Sequence, residues 1–293
     1  MQYQTLPSLP QTIHSQITKE LLPIYGPTEA SIIAEMVLEK LTGQNSMTQR
    51  HLKAENLSSQ QQLQLEEYLQ QLLNHRPIQY VLNEAWFQNM PFFVDERVLI
   101  PRPETEELVE WVVQEEKNQA GITLLDIGSG SGCIPISLAK KLPKATIHSC
   151  DISPDALTVA QKNAATLNAL VQWHQLDFLN PNHWRLLPAP DIIISNPPYI
   201  PASGAKEMSK HVADYEPGIA LFVPDDNALV FYQAIADFCV HHGQPGARIY
   251  VEIHKDMARN VCDCFEKAGL TTIEVRRDMQ GLERMVKARK KSA

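Results

Sequence analysis

A chain of 293 residues with 34 Asp and Glu against 26 Lys and Arg, and a formal net charge of -8, is poorly suited to coating nucleic acid, which calls for a basic face. Its hydrophobic fraction of 44% and charged fraction of 20% are ordinary for a globular protein and leave room for a full α/β domain beside a smaller one. No apolar run nears the ~20 residues of a membrane span, and MQYQTLPSLPQTIHSQ lacks the basic-then-apolar order of a secretory leader, so a cytoplasmic location without membrane association is expected.

Apolar periodicity predicts a helical domain over residues 1–75. In PTEASIIAEMVLEKLTG, Ile33, Met36, Val37 and Leu41 recur at helical spacing, with Pro27 at the start and Gly43 past the end. A second helix opens on Ser58 and Gln61 at capping-box spacing and is expected to stop at Pro77. Residues 76–102 change character: AWFQNMPFFVDERVLI is aromatic and β-branched and reads as a hairpin linker. PRPETEELVEWVV then opens a helix, with Pro103 early and acids in the first turn. From there to residue 293 the pattern alternates strand and helix. TLLDIG, TIHSCDI, VQWHQLD, DIIIS and ARIYVEI are the strands of a mostly parallel sheet covered on both faces. TIEVRRD and RMVKARK, joined around Gly281 with no helix between, are expected to close the sheet as an antiparallel hairpin. The expected fold is a doubly wound, Rossmann-like α/β domain of seven strands behind a small helical bundle.

The five cysteines, Cys133, Cys150, Cys239, Cys262 and Cys264, are odd in number and include no C-x-x-C pair, so neither a disulfide frame nor a zinc site is expected. Cys262 and Cys264 read as two faces of one helix. His241-His242 reads as surface, and the basic KARKKSA end as a solvated tail.

LLDIGSGSGCIPISLA places Gly128, Ser129, Gly130, Ser131 and Gly132 directly after a predicted strand. Glycines there let a backbone approach a ligand closely, and the next helix presents its N-terminal N–H groups. A tight turn without a ligand is the alternative. The dinucleotide fingerprint would need a third glycine where the chain has Cys133, and the Gly-Lys-Ser/Thr of a Walker loop is absent. Gly-x-Gly-x-Gly after LLD instead resembles S-adenosylmethionine-dependent methyltransferases. Asp151, at the end of the next strand, suits the hydroxyls of a ribose, or else caps the helix near Ser153. Asp177 and Phe178, after the third strand, suit an adenine amino group and ring, or else are a turn acid and a core aromatic.

Asn196-Pro197-Pro198-Tyr199 follows DIIIS, a strand expected beside the first, so its end opens at the switch point where α/β sheets bind ligands. These residue types suit methylation of a planar nitrogen, whose delocalised lone pair is a poor nucleophile. The Asn196 oxygen and the Pro197 carbonyl can accept the two N–H groups, the double proline holds the carbonyl rigid, and Tyr199 offers a flat face.

Glycine turn and NPPY together resemble the N-methyltransferases that include N6-adenine DNA enzymes and the glutamine methyltransferases of peptide chain release factors. RPIQY (76–80), VLIPRPETEELVE (98–110), NPPYI (196–200), YEPGIAL (215–221) and RRDMQGLER (276–284) resemble the second group, in the same order and over nearly the whole chain. The resemblance implies methyl transfer from S-adenosyl-L-methionine, leaving S-adenosyl-L-homocysteine, to the glutamine amide nitrogen (N5) of a Gly-Gly-Gln motif, which modulates translation termination. It implies that Gly128 to Gly132 cradle the methionine part, Asp151 the ribose, and Asp177 and Phe178 the adenine. Asn196 to Tyr199 hold the glutamine, with Asn196 also at the cofactor. A release factor is the implied partner, taken up by a monomer without direct nucleic-acid contact. Arg102 and Thr105 lie in a family motif without an assigned chemistry, and Glu216 either shapes the site or is a buried structural acid. The chain departs from the family in having Asn83 and Asn89 where glycines are common around the hairpin, a longer, glycine-free VPDDNAL (223–229), and His254 and Met257 after VEI. The competing readings are an N6-adenine methyltransferase of DNA or RNA and a non-catalytic scaffold on the same fold.

Overall fold

The computed structural model describes residues 12–44 and 52–292, which fall into two compact units that divide between Asn83 and Glu84. In the described part of the first unit, helices run Ile13–Leu21, Pro27–Thr42, Ser59–Leu73 and Ile78–Leu82. Ile13, Ile17 and Leu21 recur four apart and are buried against Ile33, Val37 and Leu38, and against Leu65, Leu69 and Leu72. Met36 and Leu41, expected in this core, are only half-buried, because Val37 and Leu38 take the centre of the stripe. Ser58 and Gln61 form the capping box. The helix that they start ends at Leu73, before Pro77: Asn74 caps it, and His75 turns the backbone into the left-handed region at φ 67°.

The second unit opens with a hairpin, β1 (Ala85–Phe87) and β2 (Met90–Phe92), antiparallel with Phe87 opposite Met90. Gln88 and Asn89 make its two-residue turn at φ 50° and 59°, and Asn83 caps the preceding helix at φ 52°. Asparagine tolerates this region because its short side chain bonds locally, so neither position requires glycine. Phe87 and Phe92 are buried with Leu108 and Val112, residues of helix Pro103–Glu116.

Seven strands follow in one sheet: β3 (Thr123–Ile127), β4 (Thr146–Asp151), β5 (Gln172–Gln175), β6 (Ile192–Ser195), β9 (Arg248–Glu252), β10 (Thr271–Arg277) and β11 (Glu283–Arg289). Their spatial order is β10-β11-β9-β6-β3-β4-β5, parallel from β9 through β5 and antiparallel at β9–β11–β10. Both faces of β3 and β6 are buried. Leu125 and Ile193 point to a core with Ile235 and Phe265, while Leu124 and Ile194 point to one with Val109 and Ile136. The order reverses at β3, whose neighbours β4 and β6 diverge after it, so a crevice opens at the carboxyl ends of β3 and β6. Between β6 and β9 a short parallel pair, β7 (Ile200–Pro201) and β8 (Phe222–Val223), ties the chain after NPPY to the start of VPDDNAL. No described helix is long and apolar enough to cross a membrane. His242, expected on the surface, is half-buried, with its ring stacked on Phe238 at a centroid distance of 5.3 Å.

Candidate active site

The glycine turn leaves β3 and enters helix Cys133–Lys141. Gly128 and Gly130 have φ of 89° and 50°, and a Cβ on either would meet no protein atom within 4 Å. It would project into the cavity that both residues line, the shape of a backbone cradle for a ligand. Gly132 has another role. At φ 82° it caps the helix, and a Cβ there would stand 2.9 Å from Ile136 Cδ1 and 3.2 Å from Ala160 Cβ, so it lets two helices close up outside the cavity wall.

The turn is held from three sides. The N–H groups of Gly128 and Ser129 donate to the Cys150 carbonyl at 2.9 and 3.1 Å. The Asp151 carboxylate accepts from the Gly130 N–H at 3.0 Å through one oxygen and from the Ser153 N–H at 2.9 Å through the other. Ser153 itself, through its side chain, is the N-cap of helix Pro154–Leu167, which leaves Asp151 facing the cavity. Burial raises the Asp151 pKa, and the N–H groups of Ser153 and Gly130 oppose that rise. Asn163 anchors the third side, its amide donating to the carbonyls of Ser131 and Phe93 at 2.9 Å. Sequence reasoning missed Asn163. The available signal was an amide on the same helix stripe as Ala156, Val159 and Ala160, all buried. Burial pushes the Cys133 thiol up to about 12, so it keeps its proton at neutral pH.

The cavity has a volume of about 400 Å³ and reaches from this turn to Asn196 and Pro198, within the size range of small-molecule sites. Asp177 and Phe178 line it too. Asp177 also accepts from the Leu179 N–H at 2.9 Å, and Phe178 also packs edge-on to Phe238 at 5.4 Å, so each serves the turn or the core while facing the cavity. Pro197 and Tyr199 line an adjoining cavity of about 170 Å³ that shares Asn196, Pro198 and Arg102 with the first.

Around Asn196 the structure assembles residues remote in sequence. The Asn196 amide donates from Nδ2 to Thr105 Oγ1 at 3.0 Å, and Thr105 donates onward to Glu252 Oε2 at 2.6 Å. Tyr199 donates to the other Glu252 oxygen at 3.4 Å. Asn196 Oδ1 accepts no hydrogen bond from the described residues. Burial raises the Tyr199 pKa, with the Glu252 charge second, so its hydroxyl stays neutral. Arg102, at the wall of both cavities, pairs with Glu216, whose second oxygen accepts from the Ile100 N–H at 3.1 Å. Glu216 is thus a buried acid that fixes a residue of the wall.

Two family models match the chain: the Methyltransferase small domain over residues 105–213 and the PrmC N-terminal domain over residues 15–82. A release factor glutamine methyltransferase of Flavobacterium psychrophilum is 37% identical over 279 residues, 93% of this chain and 96% of that protein. The chain belongs to the release factor glutamine methyltransferase family. One from Bacteroides thetaiotaomicron is 37% identical over 276 residues, 94% of this chain and 98% of that protein. Among solved structures, the hMettl16 catalytic domain in complex with MAT2A 3′UTR hairpin 6 has a TM-score of 0.54 at 14% identity. It covers 67% of this chain and 74% of that one, a likeness of fold alone. As a member of the family the chain is a methyltransferase whose chemistry is S-adenosylmethionine-dependent. In this glutamine methyltransferase the resemblance read from the motifs holds over both units, and Thr105, without a role by motif alone, is bonded directly to Asn196.

Proposed function

We propose that this chain transfers a methyl group from S-adenosyl-L-methionine to the side-chain amide nitrogen of the Gly-Gly-Gln glutamine of peptide chain release factors. The observation that carries the reading is the Asn196 amide: its NH₂ is tied to Thr105, and its oxygen has no partner among the described residues where the two cavities join. An acceptor there suits an incoming N–H, in a chain whose relatives are named for glutamine methylation.

The residues present fit the cofactor. Gly128, Ser129, Gly130 and Ser131 offer a cavity-facing turn free of Cβ atoms at its two glycines, and Asp151 keeps lone pairs toward the cavity for ribose hydroxyls. Asp177 and Phe178 receive the adenine, and Gly132 supports the turn from outside. When bound, S-adenosylmethionine supplies a sulfonium methyl, a strong electrophile, and S-adenosylhomocysteine remains.

The chain's own part is to make a poor nucleophile attack. Asn196 Oδ1 accepts one N–H of the glutamine amide and the Pro197 carbonyl the other. Two fixed acceptors favour the pyramidal nitrogen that develops as the C–N bond forms and the C–S bond breaks. The positive charge that arrives with the methyl leaves with one N–H proton, which the strongly acidic N-protonated amide gives up to solvent water. Pro197 and Pro198 fix the carbonyl, and Tyr199 lies against the amide plane. Residues 1–75 dock the release factor, 76–102 link, and 103–293 carry the chemistry. The enzyme works as a cytoplasmic monomer and acts on protein rather than nucleic acid; the net charge of -8 supports the second point.

Incubation of the full chain with labelled cofactor and purified release factor, followed by peptide mass mapping, is expected to place one methyl on the Gly-Gly-Gln glutamine. Methyl on DNA or RNA adenine instead would support the N6-adenine reading. A chain begun at Glu84 is expected to methylate a Gly-Gly-Gln peptide but intact release factor poorly, and equal kcat/KM on the intact factor would remove the docking role.

A further inference from the structure

Glu252 is 2% exposed, Thr105 is 2% exposed, and neither has a part in the chemistry described above. Their arrangement has a polarity. A hydroxyl has one proton to give, and an ionised carboxylate can only accept. Thr105 gives its proton to Glu252, so toward Asn196 its oxygen can only accept, and the sole donor on Asn196 is its NH₂. The side chain's oxygen must then face away from Thr105, toward the cavities that Asn196 lines.

We propose that Thr105 and Glu252 are positioning residues that act through Asn196: the Glu252 charge sets the direction of the hydrogen-bond chain, and the chain presents the Asn196 oxygen, rather than its NH₂, to the acceptor amide. This rests on the functional reading given above. A proton on Glu252 Oε2 reverses the chain. The carboxyl then donates to Thr105, Thr105 donates to Asn196, and the amide turns its NH₂ to the cavity, where a donor opposes the incoming N–H. The other Glu252 oxygen accepts from Tyr199 in either state.

The groups facing Glu252 set where this happens. Burial raises its pKa to about 7, and Glu104, on the helix that bears Thr105, pushes the same way. Thr105, Arg284 of β11 and Tyr199 oppose that rise. Tyr232, from helix Val230–His242, donates to the Glu252 main-chain carbonyl and stays neutral, because burial raises its pKa. His254, beyond the end of β9, has its pKa lowered by burial. Arg102, paired with Glu216, also lies near Tyr199.

The test uses the full chain, S-adenosylmethionine and purified release factor in single turnover. T105V is expected to lower the transfer rate by at least ~10-fold with KM and cofactor affinity within ~3-fold, and T105S to recover to within ~3-fold of the wild type, because it keeps the hydroxyl. The wild-type rate is expected to rise between about pH 6 and about pH 8, and that of E252Q to be flat. A wild-type rate in T105V, a T105S as slow as T105V, or a wild-type slope retained in E252Q would each overturn the proposal. If T105V does not fold, as judged by loss of cofactor binding heat, the comparison of wild type with E252Q decides. NMR of the isotope-labelled Asn196 carboxamide reads its orientation without turnover. Its signal is expected to titrate near Glu252's pKa in the wild type and not in E252Q. A chain that shows this titration but leaves release factor unmodified would overturn the functional reading alone, and one that methylates without it would overturn this inference alone.

Discussion

The turn after β3 and the turn after β6 stand at the same edge of the sheet and are held in opposite ways. Around Gly128–Gly132 the restraints are mostly main-chain N–H groups, reaching the Cys150 carbonyl and the Asp151 carboxylate about twenty residues on. Around Asn196–Tyr199 they are side chains. Asn196 reaches back 91 residues to Thr105, and Thr105 reaches forward 147 to Glu252. A site for a fixed cofactor can be built from backbone, which any substitution with a Cβ distorts. A site that must choose between the two ends of one amide needs hydroxyl and carboxylate groups, which only the folded sheet brings together. Changes at the first turn should therefore act on binding and on the backbone, and changes at the second on rate.

The largest expected effect is at Gly130. A valine there needs a left-handed backbone that β-branched residues avoid and puts its methyls into the cavity. Gly130→Val is expected to abolish S-adenosylmethionine binding, and calorimetry on the folded variant would show wild-type heat if the turn is no cradle. Asn196→Ala tests the other side. It is expected to lower kcat by ~10²–10³, as loss of one preorganised contact does, while cofactor affinity changes far less. A kcat at the wild-type level, or an equal loss of cofactor affinity, would erase the division between the two turns.

Glu252 offers a stability measurement. Its native pKa is about 7 against an ordinary 4.5, so the folded chain keeps a proton that the unfolded chain has released. Stability from this group therefore falls as pH rises from about 4.5 to about 7, by on the order of 3 kcal/mol, and is level above. Urea midpoints at about pH 5 and about pH 8 are expected to differ less in Glu252→Gln than in the wild type; equal differences would show that Glu252 does not titrate in that window. The smallest effect expected is for Gly132→Ala, which meets Ile136 and Ala160. It should lower stability by about 1–3 kcal/mol and leave the cofactor affinity of the folded fraction unchanged. A weakened affinity without loss of stability would move Gly132 to the ligand side of the turn.

Much of the first turn is legible in the amino-acid sequence, because its logic is local. Glycines after a strand, an acid at the end of the next strand and a helix behind them follow from main-chain geometry over a few dozen residues. Asp151 divides between a cap and a ligand residue on sequence alone; in the fold Ser153 is the cap, and Asp151 accepts from the N–H groups of Gly130 and Ser153 while lining the cavity. The motif NPPY is equally visible, since two prolines after a buried strand have few structural uses. Its supports are not. Thr105 sits in the first turn of a helix among acids, and Glu252 ends a continuous apolar strand, so each reads as a boundary residue of its own element. The pair β7 and β8 escapes notice because two residues carry no period.

Periodicity, capping signals and turn chemistry in the linear chain were enough for the N-terminal helices, the strands of the sheet, the antiparallel end and the two motifs, since each depends on residues close together along the backbone. Tertiary structure alone decided that β6 delivers Asn196 beside the glycine turn with Thr105 and Glu252 behind it, and that Arg102 is held at the wall by Glu216. Those contacts join residues 68 to 147 positions apart. Their partners are chosen by the strand order and by the need of every buried polar group for a hydrogen bond, and neither condition exists until the sheet has formed.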